Sequence, residues 1–150
     1  MRRRSLLLAG VLGGPLARPG LAATPVASAL PRRALVFPRD HGAHPELRTE
    51  WWYVTGHARE PGAGGREFGF QVTFFRTRVD ATQSMQSAFA AKQLIFAHAA
   101  LTDVQGRKLW HDQRIAREGF GVAGADGRDA AITLRDWSLT RRPADGAWLA

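Results

Sequence analysis

Two aromatic-rich runs with a period of two constrain this chain more than anything else in it. Glu50–Ala58 places Trp51, Tyr53 and Thr55 on one side and Trp52, Val54 and Gly56 on the other. Glu67–Thr77 alternates more clearly, with Phe68, Phe70, Val72 and Phe74 against Gly69, Gln71, Thr73 and Phe75. Successive side chains of a strand point to opposite sheet faces, so aromatic and β-branched residues at this period predict strands. Pro61-Gly62-Ala63-Gly64-Gly65 lies between the runs and predicts a hairpin with a longish loop.

Further strands are predicted at Gln93–Thr102, Leu109–Arg117 and Ala130–Thr140, with the start of another at Ala147–Ala150. Asp103–Arg107 and the Asp-Gly pairs at Asp126-Gly127 and Asp145-Gly146 supply turns. The third strand is poor in bulk at Ala97, Ala99 and Ala100, which leaves room for a packed helix or a ligand. Arg78–Lys92 interrupts the alternation, and Ser84–Ala91 predicts one or two helical turns or an irregular lid. Residues 23–37 read as an extended lead-in, and Phe37–Pro45, with two prolines and turn residues, as an ordered loop. Short strands at a spacing of roughly 8–12 residues predict an all-β sandwich or barrel. A meander of neighbours favours an up-and-down barrel or half-barrel. Five or six strands without closure leave long open edges, which natural proteins avoid. The barrel is therefore expected to be incomplete at the C-terminus, with partner strands beyond residue 150.

The first residues read differently. Met1-Arg2-Arg3-Arg4 is a positive start, and Leu6–Leu12 is an apolar run too short for a membrane span, which needs about 20 residues. Arg3-Arg4-Ser5-Leu6-Leu7 fits the twin-arginine export pattern, and Arg18 beyond the apolar run suits that route. Cleavage is expected after Ala22, or after Ala29 in Ala27-Ser28-Ala29, giving a signal segment of 1–29 and a periplasmic or secreted chain. Export also resets the charge. The formal net charge is +8, from 21 basic and 13 acidic residues. Arg2, Arg3, Arg4 and Arg18 leave with the signal, and the remaining basic residues are scattered. That excludes the dense basic patch a nucleic-acid footprint needs. With no cysteine, disulfides, thiolate metal sites and cysteine nucleophiles are excluded.

Several residues could carry chemistry. Trp51-Trp52-Tyr53 can serve as aromatic packing or as a wall for a large apolar ligand. The spacing of His41 and His44, and of His57, His98 and His111 on separate strands, lacks the tight pairs of structural metal sites, and no metal is expected. Arg76 continues the apolar face of Phe74 and needs a partner or an exit to water; Glu50, near the start of the paired strand, is the candidate partner. His98, Asp103, His111 and Asp112 gather around one turn, where Asp103 reads more readily as a turn former than as a general acid. No nucleophile elbow, phosphate loop or dinucleotide fingerprint is present.

Four ordered motifs resemble a known family. They are Phe37–Pro45, Glu50-Trp51-Trp52-Tyr53-Val54-Thr55-Gly56-His57, Gly69-Phe70-Gln71-Val72-Thr73-Phe74-Phe75-Arg76 and Ala97-His98-Ala99-Ala100-Leu101-Thr102-Asp103. Together, over about residues 37–124, they resemble the AttH-like, carotenoid 1,2-hydratase (hydroxyneurosporene synthase) family, whose secreted members are lipocalin-like. The resemblance implies a calycin-type architecture of two lipocalin-like barrels. Residues 30–150 would be a truncated first barrel, with the second domain absent. It further implies a cavity for a long apolar molecule, a lipid or isoprenoid, and no cofactor. Hydratase- or hydrolase-like chemistry on such a substrate is the first functional expectation. Hydration would need an acid to protonate a double bond, and no residue is assigned to it. The alternative is a non-catalytic periplasmic carrier associated with a membrane transporter. Glu50, Trp51, Tyr53, Gln71, Arg76 and His98 are the residues expected to line the pocket.

The export reading has a direct test. Replacing Arg3 and Arg4 by lysine is expected to leave the chain unprocessed in the cytoplasm, while the unaltered chain appears shortened in the periplasmic fraction. Equal processing of both would remove the twin-arginine route.

Overall fold

The computed structural model of the chain describes residues 32–150. The predicted signal segment, 1–29, lies outside them. Eight strands follow in order: β1 (Thr49–Arg59), β2 (Glu67–Arg78), β3 (Gln93–Asp103), β4 (Lys108–Arg117), β5 (Ala123–Ala125), β6 (Ala131–Leu134), β7 (Trp137–Arg141) and β8 (Trp148–Leu149). They form two antiparallel four-stranded sheets, β1-β2-β3-β4 and β5-β6-β7-β8, each a plain meander. The chain is all-β, and its two unclosed sheets match the half-barrel form of a lipocalin-like fold.

The β1–β2 hairpin follows from its sequence. Gly62 and Gly64 in the connection adopt φ of +105° and +80°, a region glycine enters without penalty. The strands pair from Thr49↔Thr77 to Arg59↔Glu67, which sets Trp52 opposite Phe74 and Val54 opposite Val72. Those four residues face the second sheet. Phe74, Ile95 and Ala97 of the first sheet close a buried core with Ala123, Ala130, Ile132, Leu134 and Leu139. The small side chain of Ala97 accommodates that second sheet, whose β6 packs on β3 and β4. A helix was one expected occupant of the space over the alanine-rich third strand; β6 takes that place over Ala97.

Three predicted elements differ. Ala130–Thr140 is not one strand but the β6–β7 hairpin, turning at Arg135-Asp136, where Arg135 takes φ +57°. The reason is parity. Ile132 and Leu139 are seven positions apart, so a single strand would send them to opposite faces. Folded back, they sit opposite each other and both enter the core. The short β5 has no expected counterpart. Ser84–Ala91 forms no helix; it is irregular, preceded by a 3-10 turn at Asp80–Thr82.

The segment before β1 is fastened by a buried charge. Arg76, 1% exposed, donates from Nε to Glu50 Oε1 (2.5 Å), from Nη1 to Gln93 Oε1 (2.5 Å), and from Nη2 to the carbonyls of His44 and Leu47 (2.8 Å each). Glu50 also accepts from the His44 backbone N–H at 2.7 Å, and its other oxygen lies 3.1 Å from the His44 ring. The far ring nitrogen of His44 reaches Asp40 at 3.0 Å. Trp52 Nε1 donates to the His41 carbonyl at 2.8 Å. The next residues dock onto the second sheet: the Ala43 N–H donates to the Asp126 carbonyl at 2.7 Å. A Cβ on Gly42 would meet that same oxygen at 2.8 Å, so the position accepts only glycine without a shift. The expected Arg76–Glu50 partnership is thus present, and it is buried.

Removing one member of such a set leaves an unpaired buried charge and unfilled acceptors. Arg76→Ala is expected to lower stability by about 3–5 kcal/mol in chemical denaturation. Arg76→Lys is expected to recover little of it, because an ammonium cannot span acceptors arranged around a planar fork. An unchanged denaturation midpoint for Arg76→Ala would show that the network does not hold the fold.

Candidate functional site

The face of β1–β3 turned away from the core carries the other half of the alternation. Pairing places Trp51 beside Phe75 and Phe75 beside Phe96, one strand to the next. One step along, Tyr53 lies beside Thr73 and Thr73 beside His98; a further step sets Thr55 beside Gln71. Each set shares a face because residues directly opposite in an antiparallel ladder point the same way. Trp51, Tyr53, Thr55, Gln71, Thr73, Phe75 and His98 line a concave space of about 290 Å³. A second hollow of about 470 Å³ continues across β3 to β4, lined by Phe96, Ala97, His98, Gln113, Arg114 and Ile115. His98 borders both.

The site is part aromatic wall and part polar pair. Phe75 and Phe96 stack at 4.3 Å with their planes 6° apart, and the His98 ring lies 5.7 Å from Phe75. Trp51 and Tyr53 are 59% and 62% exposed, an unusual standing for rings of that size. Gln71 Nε2 lies 2.7 Å from His98 Nε2. With the amide nitrogen donating, Nε2 is the acceptor and the imidazole proton sits on Nδ1. Thr73, buried between Tyr53 and His98, forms the floor. Among the described residues no carboxylate lines either hollow.

Of the six residues expected to line the pocket, four are brought together: Trp51, Tyr53, Gln71 and His98. Glu50 and Arg76 are not. They sit one position out of step with Trp51 and Phe75, so the alternation sends them to the core side, into the network described above. The cluster around the Asp103–Arg107 turn does not assemble either. His98 and His111 share the outward face with Gln71, whereas Asp103 and Asp112 point the other way. Asp103 is buried, accepts from the Gly106 N–H at 2.8 Å and pairs with Arg66, so it holds the β3–β4 turn. Asp112 pairs with Arg114, and the Arg114 hydrogen bond, with a smaller one from the Gln113 N–H, holds its carboxyl below the usual range. Among the described residues no three histidines or carboxylates are placed to hold a metal ion.

The lining residues not among the six expected are Thr55, Thr73 and Phe75 in the first hollow and Phe96, Ala97, Gln113, Arg114 and Ile115 in the second, Thr55 sharing the parity of Tyr53. Phe75 and Thr73 share the parity of Gln71, which was legible. The rest needed the register across β3 and β4. A wider hollow of about 580 Å³ runs along the unpaired edge of β1 to Trp148, and Tyr53 is its one titratable side chain. It marks the gap between the two sheets and holds less chemistry than the face behind it.

A family model described as AttH-like matches residues 28–149. No curated protein matches the chain. A crystal structure of a candidate AttH protein from Nitrosomonas europaea is 45% identical, covers 82% of this chain and superposes with a TM-score of 0.65. The chain spans 35% of that protein's length. A profile match across most of the chain, joined to a shared fold at this identity, settles its kinship: the chain belongs to the AttH-like family.

Proposed function

We propose that this chain is an exported member of the family that holds a long apolar molecule, a lipid or an isoprenoid, against the aromatic face of its first sheet. One observation carries the reading. Exposed Trp51 and Tyr53, with the Phe75 ring, converge on a single polar pair, Gln71 and His98. An apolar wall with few convergent polar groups is the usual make-up of a small-molecule site. The wall takes the body of an amphipathic ligand. Gln71, His98 and the Tyr53 hydroxyl take its hydroxyl, carbonyl or carboxylate end. Covering the rings removes them from water, which supplies the driving force.

Binding is favoured over hydration because addition of water to an isolated double bond begins with protonation by an acid. Among the described residues the lining offers an imidazole and a phenol and no carboxylic acid. A carrier that exchanges its ligand with a membrane transporter is the matching cellular role. A hydrolase-like reading stands second. It rests on His98, an imidazole in the hollow that could take a proton from water.

Titration of the full chain with geranylgeraniol and with a long-chain fatty acid, followed by tryptophan fluorescence, is expected to show saturable binding at one site. Trp51→Ala and Tyr53→Ala should each weaken it at least tenfold, about 1.4 kcal/mol. Long-chain esters incubated in ¹⁸O-water separate the two readings. Label entering the product only when His98 is present supports turnover; ligand recovered unchanged supports the carrier. Absence of saturable binding to any of these ligands would sink both.

A further inference from the structure

At one end of the first sheet, two loops raise aromatic rings into solvent. Phe89, in the connection from β2 to β3, is 75% exposed, and Phe120, in the connection from β4 to β5, is 61% exposed. Their rings stack at 5.5 Å with planes 20° apart. Arg117 lies against both, its guanidinium carbon 4.4 Å from the centre of Phe120 and 5.7 Å from that of Phe89. Its Nη1 also donates to the Phe89 carbonyl at 3.0 Å.

Neither ring stands on a loose loop. Thr82 Oγ1 and Gln83 Nε2 tie the Phe89 connection across its base, to the carbonyls of Ala91 and Lys92 at 2.8 Å each. On the other side the Glu118 N–H donates to the Gln93 carbonyl and the Gly119 N–H to the Ala123 carbonyl, both at 2.9 Å. Between these anchors Gly119, Phe120 and Gly121 take φ of +111°, +56° and +69°. Glycine enters that region freely, and phenylalanine rarely. The turn thus accepts a disfavoured backbone at Phe120 and leaves its ring in water. Left-handed backbone at a bulky residue persists only where its surroundings enforce it, and such outliers gather at functional positions.

We propose that Phe89 and Phe120, with Arg117 behind them, insert into the headgroup region of an anionic phospholipid membrane. The two rings offer on the order of 250 Å² of apolar surface. A stable protein partner would need about 800 Å² of matching surface on each side. A bilayer needs no matching surface: rings enter the acyl boundary while a cation behind them meets the phosphates. Arg117 occupies that place and keeps guanidinium donors for phosphate oxygens. Lys92, exposed at the foot of the same loop, adds a second cation; of the acids on the two connections, Asp80 is paired with Arg78 and Glu118 stands beside Arg117 in sequence. Once Arg2, Arg3, Arg4 and Arg18 leave with the signal, the formal charge falls from +8 to +4 (17 basic, 13 acidic), still of the sign an anionic surface attracts. This inference does not depend on ligand binding to the outward face, whose hollow reaches Ile115, two positions before Arg117 on β4.

The test is co-sedimentation of the full chain with vesicles of pure phosphatidylcholine and of phosphatidylcholine with 30% phosphatidylglycerol. The unaltered chain is expected to bind the mixed vesicles, and Phe89→Asp/Phe120→Asp to reduce the bound fraction at least tenfold at unchanged circular dichroism. Arg117→Gln should abolish the preference for phosphatidylglycerol. Because the chain has no cysteine, Phe120→Cys carries a single environment-sensitive label. Its emission should shift to the blue on mixed vesicles, and a label at Ser138→Cys on β7 should not shift. The proposal falls if the chain binds neither vesicle, if the double variant binds like the parent, or if binding leaves the label at position 120 unmoved.

Discussion

A guanidinium shut away from water must be given acceptors in the plane of its own fork, and the first half of this molecule is arranged around that demand. Arg76 finds them in Glu50, Gln93 and two main-chain carbonyls. Two of those acceptors belong to the segment before β1, so satisfying the charge also fixes where that segment runs. Its path brings Gly42 and Ala43 onto the Asp126-Gly127 turn. The sheets are therefore joined twice, through the apolar core and through a polar strap anchored on one side chain. Buried ion pairs often add little net stability over an apolar substitute. Here the geometric consequence matters more, because Glu50 opposite Arg76 sets the register that every other pair in the hairpin inherits.

That register explains what could and could not be read from the residues. The alternation in Glu50–Ala58 and Glu67–Thr77 carried both strands, their pairing and the all-β class, because each residue type agreed with the period. The Arg76–Glu50 partnership was legible as well. Its burial was not, since it depends on carbonyls of His44 and Leu47 that approach only in three dimensions. Treating Glu50 and Trp51 as neighbours in one pocket failed for the same reason that the strands were recognisable: adjacent positions face opposite ways. Tyr53, Gln71 and His98 came together because three strands happened to align them, which the period within one strand cannot reveal. The β6–β7 hairpin was hidden by reading Ala130–Thr140 as one run; the charged pair Arg135-Asp136 in its middle and the odd spacing of Ile132 and Leu139 both mark the turn.

The two exposed aromatic features differ in build. On the outward face of the first sheet, Phe75 and Phe96 stack on each other across neighbouring strands, beside the hydrogen-bonding pair Gln71 and His98. At the loop tip, two stacked rings back onto a cation. The proposed ligand site would select by shape and hydrogen bonding, the proposed membrane contact by polarity alone. A protein that moves an amphipathic compound has use for both.

The interleaving of core and site along β1 and β2 has an evolutionary corollary. Every second residue belongs to the packed interior and every other one to the ligand face, so the two roles share a single reading frame of backbone. Gain or loss of one residue within either strand would exchange the roles wholesale, sending Trp52, Val54 and Phe74 to water and Tyr53, Gln71 and Thr73 inside. Lineages of this sequence can alter the outward positions by substitution without disturbing the core. They can vary length only in the glycine-rich connection between the strands, where an extra residue shifts no parity.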